Sequence, residues 1–314
     1  MLTRRQLFFA AGAAFAAPAK LSRKERVDRA LAGQEVDRPP FSFWHHFLDE
    51  KEPAEVHARN TLRFAAAYRT DLVKVMSDYP FPKPAGHWYE VKPLANPFPA
   101  QIAALEKIRA EAGGYFVETI FNPWNVAEKL SSPQAVKQLM ADEPQRLLDA
   151  LEAIAKSEAA HAKKAVAAGA AGVFLAVANA QAGILTEAEY QKFSEPFDRM
   201  VLDAVPSARL NILHAHGDKV YLDRFLKGWP VAVVNYSLHG TGIPLAEARK
   251  KSGLVLMGGI DERSYHRAAP EAVKQQIAAA RAAAGAKFIL SPGCSVDNHT
   301  PEAQLRVLPD ALGA

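Results

Sequence analysis

Cysteine occurs once in 314 residues, which excludes an intramolecular disulfide and any cysteine-rich zinc module. Excess charge of one sign is also missing. The 38 Lys and Arg face 34 Asp and Glu with no basic run, so nucleic acid is not an expected partner. Past the N-terminus no apolar stretch reaches the roughly 20 residues of a membrane-spanning helix. With 23% charged and 9% aromatic residues, the balance is that of an ordinary globular chain rather than a collagen, a coiled coil or a disordered segment.

The first twenty residues, MLTRRQLFFAAGAAFAAPAK, place Arg4 and Arg5 before an apolar run from Leu7 to Ala17 and then small residues. That is the layout of a secretory signal, and Thr-Arg-Arg-Gln-Leu-Phe is similar to a twin-arginine one. The expectation is a signal over 1–19, with cleavage after Ala16 or Ala19, and export to a bacterial periplasm. Loss of Arg4 and Arg5 leaves 36 basic against 34 acidic side chains, so part of the apparent basicity belongs to the export tag.

Beyond the signal, short β-branched or apolar runs alternate with Ala-, Glu- and Lys-rich helical patterns. Strands are expected at Phe41–Trp44, Leu72–Met76, Tyr115–Ile120, Gly172–Val177, Leu210–Leu213, Val231–Asn235, Leu254–Met257 and Lys287–Leu290. Helices are expected at Ser132–Ala141, Thr186–Ala204, Val220–Leu226, Leu245–Lys251 and Pro270–Ala284. Eight such units predict one α/β domain over 20–314, a (β/α)8 TIM barrel. An open doubly wound sheet is the alternative, but no Gly-x-Gly-x-x-Gly turn follows the first strand. The 36 residues from Tyr79 to Gly114 hold six prolines and are expected to form a lid or wall over the barrel mouth.

In such a barrel the functional groups come from the C-terminal strand ends. Those positions give His45, His46, Asp78, Asn122, Trp124, Asn179, Gln181, His214, His216, Asn235, Tyr236, His239, Asp261 and Cys294. The sharpest pattern is Leu213-His214-Ala-His216, because residues two apart on a strand point the same way. Cys294, in Ser291-Pro-Gly-Cys, follows the last strand. Two imidazoles and a thiolate suit Zn²⁺ with a fourth position left open; the bland alternative is a solvated histidine pair and a small buried hydrophobe. Asp78 ends an apolar strand, where it serves as a catalytic carboxylate or as a turn residue. Trp44, His45, His46 and Trp124 are candidates for an aromatic, partly basic wall of a substrate pocket, with a place in the core the commoner role for tryptophan.

Taken together these segments resemble the uroporphyrinogen decarboxylase superfamily, which holds both the haem-pathway decarboxylase and the methylcobamide:thiol methyltransferases. The resemblance runs from Arg26 to Leu312. It is carried by Arg26-Val-Asp-Arg-Ala-Leu-Ala-Gly-Gln-Glu-Val-Asp-Arg-Pro-Pro40, Ala182-Gly-Ile-Leu-Thr-Glu-Ala-Glu-Tyr190, Met257-Gly-Gly-Ile-Asp261, Ser291-Pro-Gly-Cys294 and Thr300-Pro-Glu302. The decarboxylases place two arginines after strand one, where this chain has His45 and Asp49, and a serine near Ala180 is missing as well. Asp78 matches the decarboxylase aspartate that holds pyrrole N–H groups. The methyltransferase branch carries His-x-Cys and a later Cys as zinc ligands, and His214, His216 and Cys294 fall on those positions.

What the resemblance implies is a zinc-dependent enzyme that transfers a methyl group from a corrinoid to a thiol. Zinc would be held by His214, His216 and Cys294, with Asp78 and His239 handling protons. His45, His46, Trp124, Asn179, Tyr236 and Asp261 would line the substrate site. No segment suits a corrinoid, so a separate carrier protein would deliver it, and relatives suggest a homodimer. Two other readings stand beside this one: a tetrapyrrole-type decarboxylase working without a cofactor, and a non-enzymatic exported barrel that binds a tetrapyrrole or metal.

Overall fold

The computed structural model describes residues 20–314, so the expected signal over 1–19 lies outside the described residues. Ser22 and Glu25 cap the helix Arg23–Ala32 reciprocally, and Gly33 ends it in the left-handed region at φ 70°. This helix brings Arg26 under the barrel floor. Its guanidinium reaches Asp37 at 2.7 Å and Asp71 at 2.6 Å, and Arg38 meets the other oxygen of Asp71. Asp71 also accepts from the backbone N–H of Phe41 at 3.0 Å. Its carboxylate is fully buried, yet both oxygens are satisfied, as a buried charge requires.

Seven parallel strands follow in sequence order: β1 Leu72–Val75, β2 Tyr115–Phe121, β3 Val173–Val177, β4 Ile212–Ala215, β5 Val233–Tyr236, β6 Val255–Ile260 and β7 Phe288–Pro292. The eighth expected strand, Phe41–Trp44, shrinks to one bridge between Phe41 and Leu290. The ring still closes there. Ser42 N–H donates to Leu290 O at 3.1 Å, Leu290 N–H to Pro40 O at 2.8 Å, and Asp71 N–H to Phe41 O at 2.9 Å. Pro39 and Pro40 have no N–H to offer a ladder, and beyond Ser42 the chain pairs with the loop after β7 instead. There Trp44 O accepts from Val296 N at 2.9 Å. The result is a (β/α)8 TIM-barrel fold in a single α/β domain, with one strand reduced to a seam.

Alternate residues of each strand face inward, where Leu72, Val117, Phe174, Ile212, Val255 and Ile289 fill the interior as a packed core. The other faces bury against helices such as Pro99–Glu111 and Pro144–Ala167. Three expectations need correction. The run Thr186–Ala204 divides into helices Glu187–Phe193 and Glu195–Asp203, because Pro196 cannot donate to the preceding turn. Val220–Leu226 yields only one turn of 3-10 helix, Leu222–Arg224. The Tyr79–Gly114 segment is less a lid than expected, since it contains the packed helix Pro99–Glu111. Its Pro-rich part still walls a cavity through Tyr79, Pro80 and Phe81. Among the described residues, no helix is long and apolar enough to cross a membrane.

Removing the shared carboxylate leaves Arg26 with Asp37 alone and takes from Arg38 its ion-pair partner. Asp71→Asn is therefore expected to lower unfolding free energy by about 3–5 kcal/mol, measured by denaturant titration, as for other broken buried pairs.

Candidate metal centre at the barrel mouth

His214 is the third residue of β4, and strand alternation turns it inward beside Phe174, with ring centroids 5.1 Å apart. His216 lies just past the strand and is tied back to β3 by its N–H to Val177 O at 2.9 Å. Gln181 fixes the turn that follows, accepting from Asp218 N–H at 3.1 Å and donating to Ala178 O at 2.6 Å. Cys294 comes from the opposite side of the mouth, two residues after β7. Gly293 is needed there because a Cβ would sit 2.3 Å from the Cα of Ser237. Its N–H donates to Glu262 at 3.1 Å, which holds the loop in place.

The ligand atoms of His214, His216 and Cys294 all lie within 4.8 Å of one another. Cys294 Sγ is 3.3 Å from His216 Nδ1, near the spacing of about 3.6 Å that two tetrahedral zinc ligands keep at ordinary bond lengths. Burial alone pushes the Cys294 thiol up, but hydrogen bonds with His214 and His216 override it and bring it down to about 4. The same contact raises His216 against the effect of burial, whereas burial lowers His214. Nδ1 of His214 is buried without a hydrogen-bond partner. A thiolate, two imidazoles and an orphaned ring nitrogen form a donor set that fits a zinc ion.

These residues line a cavity of about 330 Å³ with Trp44, Phe121 and Phe174 among its walls. His46 lines it too and donates from Nδ1 to Asp78 Oδ1 at 2.9 Å. Asp78 faces a second cavity of about 360 Å³, and Lys129 and Phe121 belong to both. Burial pushes the Asp78 carboxyl up, but His46, His57 and Lys74 outweigh it, leaving it below its ordinary value. Nearby, His57 bridges Asp49 at 2.8 Å and Met76 O at 2.9 Å, fixing the chain that follows the seam.

The remaining expected site residues are elsewhere. His45 packs edge-on against Phe47 and Phe64, each at 5.0 Å, and lines neither cavity. Trp124 is fully buried in helix Pro123–Leu130 with its indole N–H on Glu128 at 2.8 Å, a core position. Asn179 accepts from Asn122 at 2.7 Å within a buried network that ends on Asp198 and Tyr190. Tyr236 is fully buried behind β5. His239 is exposed on the one-turn helix Leu238–Thr241, too far round the rim to line either cavity. Asp261 accepts from Arg263 N–H at 3.1 Å as a turn residue.

Expectation from sequence passes over several charged residues that line these cavities, among them Lys74, Lys129 and Glu158. Lys74 sits in the apolar strand LVKV, where pattern alone gives no hint of a function. Burial pushes both lysines down to about 8, and burial with Asp198 nearby raises the Glu158 carboxyl well above its ordinary value.

A parallel α/β barrel with a cluster of potential ligands at its C-terminal rim defines a class of barrel enzymes. The chain belongs to the uroporphyrinogen decarboxylase (URO-D) family, whose model matches residues 68–314. Uroporphyrinogen decarboxylases of two Klebsiella pneumoniae strains are 26% and 27% identical over 220 residues, covering 63% of this chain. The chain spans only 60% of the length of those relatives. Among solved structures, a methyltransferase from Methanosarcina mazei is similar with a TM-score of 0.74 and 16% identity, covering 93% of this chain and 98% of its own. A B12-independent methionine synthase from Shewanella sp. W3-18-1 gives 0.61 and 12%, covering 88% and 96%. These two likenesses concern the fold.

A thiol held near pH 4 is already ionised at neutral pH. Ultraviolet titration of thiolate absorbance in metal-free protein is expected to give a midpoint near 4, with thiolate lost only below it. His216→Ala, or Gly293→Ala by displacing the loop, is expected to move the midpoint up toward the usual value of about 8.5.

Proposed function

We propose that this barrel is a zinc-dependent methyltransferase that uses a thiol as methyl acceptor and a corrinoid on a separate carrier protein as donor. The observation that carries the reading is the convergence of His214, His216 and Cys294 on one cavity wall. Zinc bound there would supply Lewis acidity that favours the ionised form of an acceptor thiol. The protein's own residues do the rest. Cys294, already a thiolate, needs no proton removed before it ligates. His46 gives its Nδ1–H to Asp78, which leaves Nε2 as an acceptor for the thiol proton. Phe174, Trp44 and Phe121 keep water from the acceptor. A cavity of about 330 Å³ stands at the small end of ligand sites and suits a short acceptor. Asp78 remains the proton-handling carboxylate of this reading, and His239, lying outside both cavities, has no part in it. Twin-arginine export and pairing into a homodimer belong to the same proposal.

A second reading, decarboxylation of a tetrapyrrole or other acid, is favoured by the curated decarboxylase relatives and by two lysines able to meet carboxylates. Metal analysis separates the two. The purified protein is expected to carry close to one equivalent of zinc, falling below about a tenth in His214→Ala or Cys294→Ser. Zinc content that is negligible in wild type, together with carboxyl loss from uroporphyrinogen that Asp78→Asn abolishes, would establish the second reading instead.

A further inference from the structure

The second cavity, of about 360 Å³, contains a carboxyl that takes no part in the ligand cluster or in the His46–Asp78 pair. Glu158 lies in the helix Pro144–Ala167 and is 1% exposed, yet it lines this cavity. Its Oε2 is buried without a hydrogen-bond partner, and among the described residues no Lys, Arg or His stands within ion-pair distance of it. The neighbouring Asp198 is itself acidic, and it is already met by Asn122, Tyr190 and Ser194 at 3.0, 2.9 and 3.1 Å. Asp78 faces the same cavity, with Oδ2 likewise unpartnered. Burial and Asp198 raise the Glu158 carboxyl well above its ordinary value, the response of an acid without a counter-charge.

Much of the remaining wall is aromatic. Phe81 and Phe98 meet edge to face at 5.8 Å, and Tyr79 and Phe121 line the cavity with them. The Phe121 ring already carries an ammonium, that of Lys129, 3.0 Å from its centre. Lys129 and Lys83, the two lysines of the lining, are both exposed, whereas the Glu158 and Asp78 side chains are buried. The cations thus stand at the rim and the carboxyls inside. An entering anion would meet two acids. An entering cation would find ring faces and a counter-ion, and would return Glu158 to its ionised form.

We propose that this second cavity binds a small organic ammonium, a protonated primary amine with an apolar or aromatic body, and that Glu158 is its counter-ion. The site is separate from His214, His216 and Cys294 and does not depend on the thiol-binding reading. Phe121 and Lys129 line both cavities, so an amine held here lies beside the mouth without filling it. A volume at the small end of ligand sites suits a body of about one ring.

Calorimetry on the full chain with benzylamine, benzyl alcohol and benzoate compares a cation, a neutral molecule and an anion of one size. The amine is expected to bind about tenfold or more tightly than either of the others, in line with a charge-assisted hydrogen bond to a buried carboxylate. Glu158→Gln keeps the shape and removes the charge. It is expected to bring the amine to the level of the alcohol while leaving the alcohol unchanged. Lys129→Met is expected to leave the amine bound as tightly or more tightly, because it removes a competing cation. Zinc-loaded and metal-free protein are expected to bind the amine equally. An amine bound no better than the alcohol or benzoate in wild type, or a preference that survives Glu158→Gln, would overturn the assignment. So would amine binding that is lost in Lys129→Met, or that requires zinc and therefore marks the amine as a metal ligand. The wild-type comparison stands even if a variant does not fold.

Discussion

Closure of the barrel at Phe41 is the constraint on which the rest depends. One residue bridges β7 and β1, and it is held there because Asp71 binds its N–H while also gripping Arg26 and Arg38. A ring that stays open at this seam has no reason to bring the loop after β7 across from β4. Cys294 would then lose its place beside the two histidines. The ion cluster at the floor and the ligand cluster at the mouth are thus joined by strand geometry rather than by any direct contact.

The mouth itself is an electrostatic compromise. It gathers a thiolate, two imidazoles and two lysines, of which Lys74 is buried and Lys129 exposed, and His46 links it to an ionised aspartate beside the neighbouring cavity. Each group is held away from its ordinary protonation behaviour by burial or by a neighbour, a pattern that marks sites of chemistry. Apolar walls strengthen every one of these interactions by excluding water.

Family membership and site chemistry pull in different directions here. The decarboxylase relatives share sequence, but where the resemblance leads one to expect two arginines the chain has His45 and Asp49. His45 packs among aromatic side chains and Asp49 holds His57, so both have been absorbed into the structure around the seam. What occupies the mouth is a donor set of nitrogen and sulfur, and a barrel supports many chemistries by changing only such rim residues.

Sequence by itself determined the alternation of strands and helices, and with it the barrel, because apolar periodicity reports directly on burial. It also determined that His214 and His216 share a side, since a spacing of two on a strand leaves no choice. Tertiary structure alone decided which rim residues meet. His46 reaches Asp78 while its neighbour His45 turns away, and His239 stays exposed on a short helix that pattern cannot orient. Lys74 is the clearest case. In the sequence it interrupts an apolar strand without comment. Only the closed barrel shows its ammonium buried beside the ligand cluster, because burial and the absence of a counter-charge are properties of the whole ring and not of any local segment.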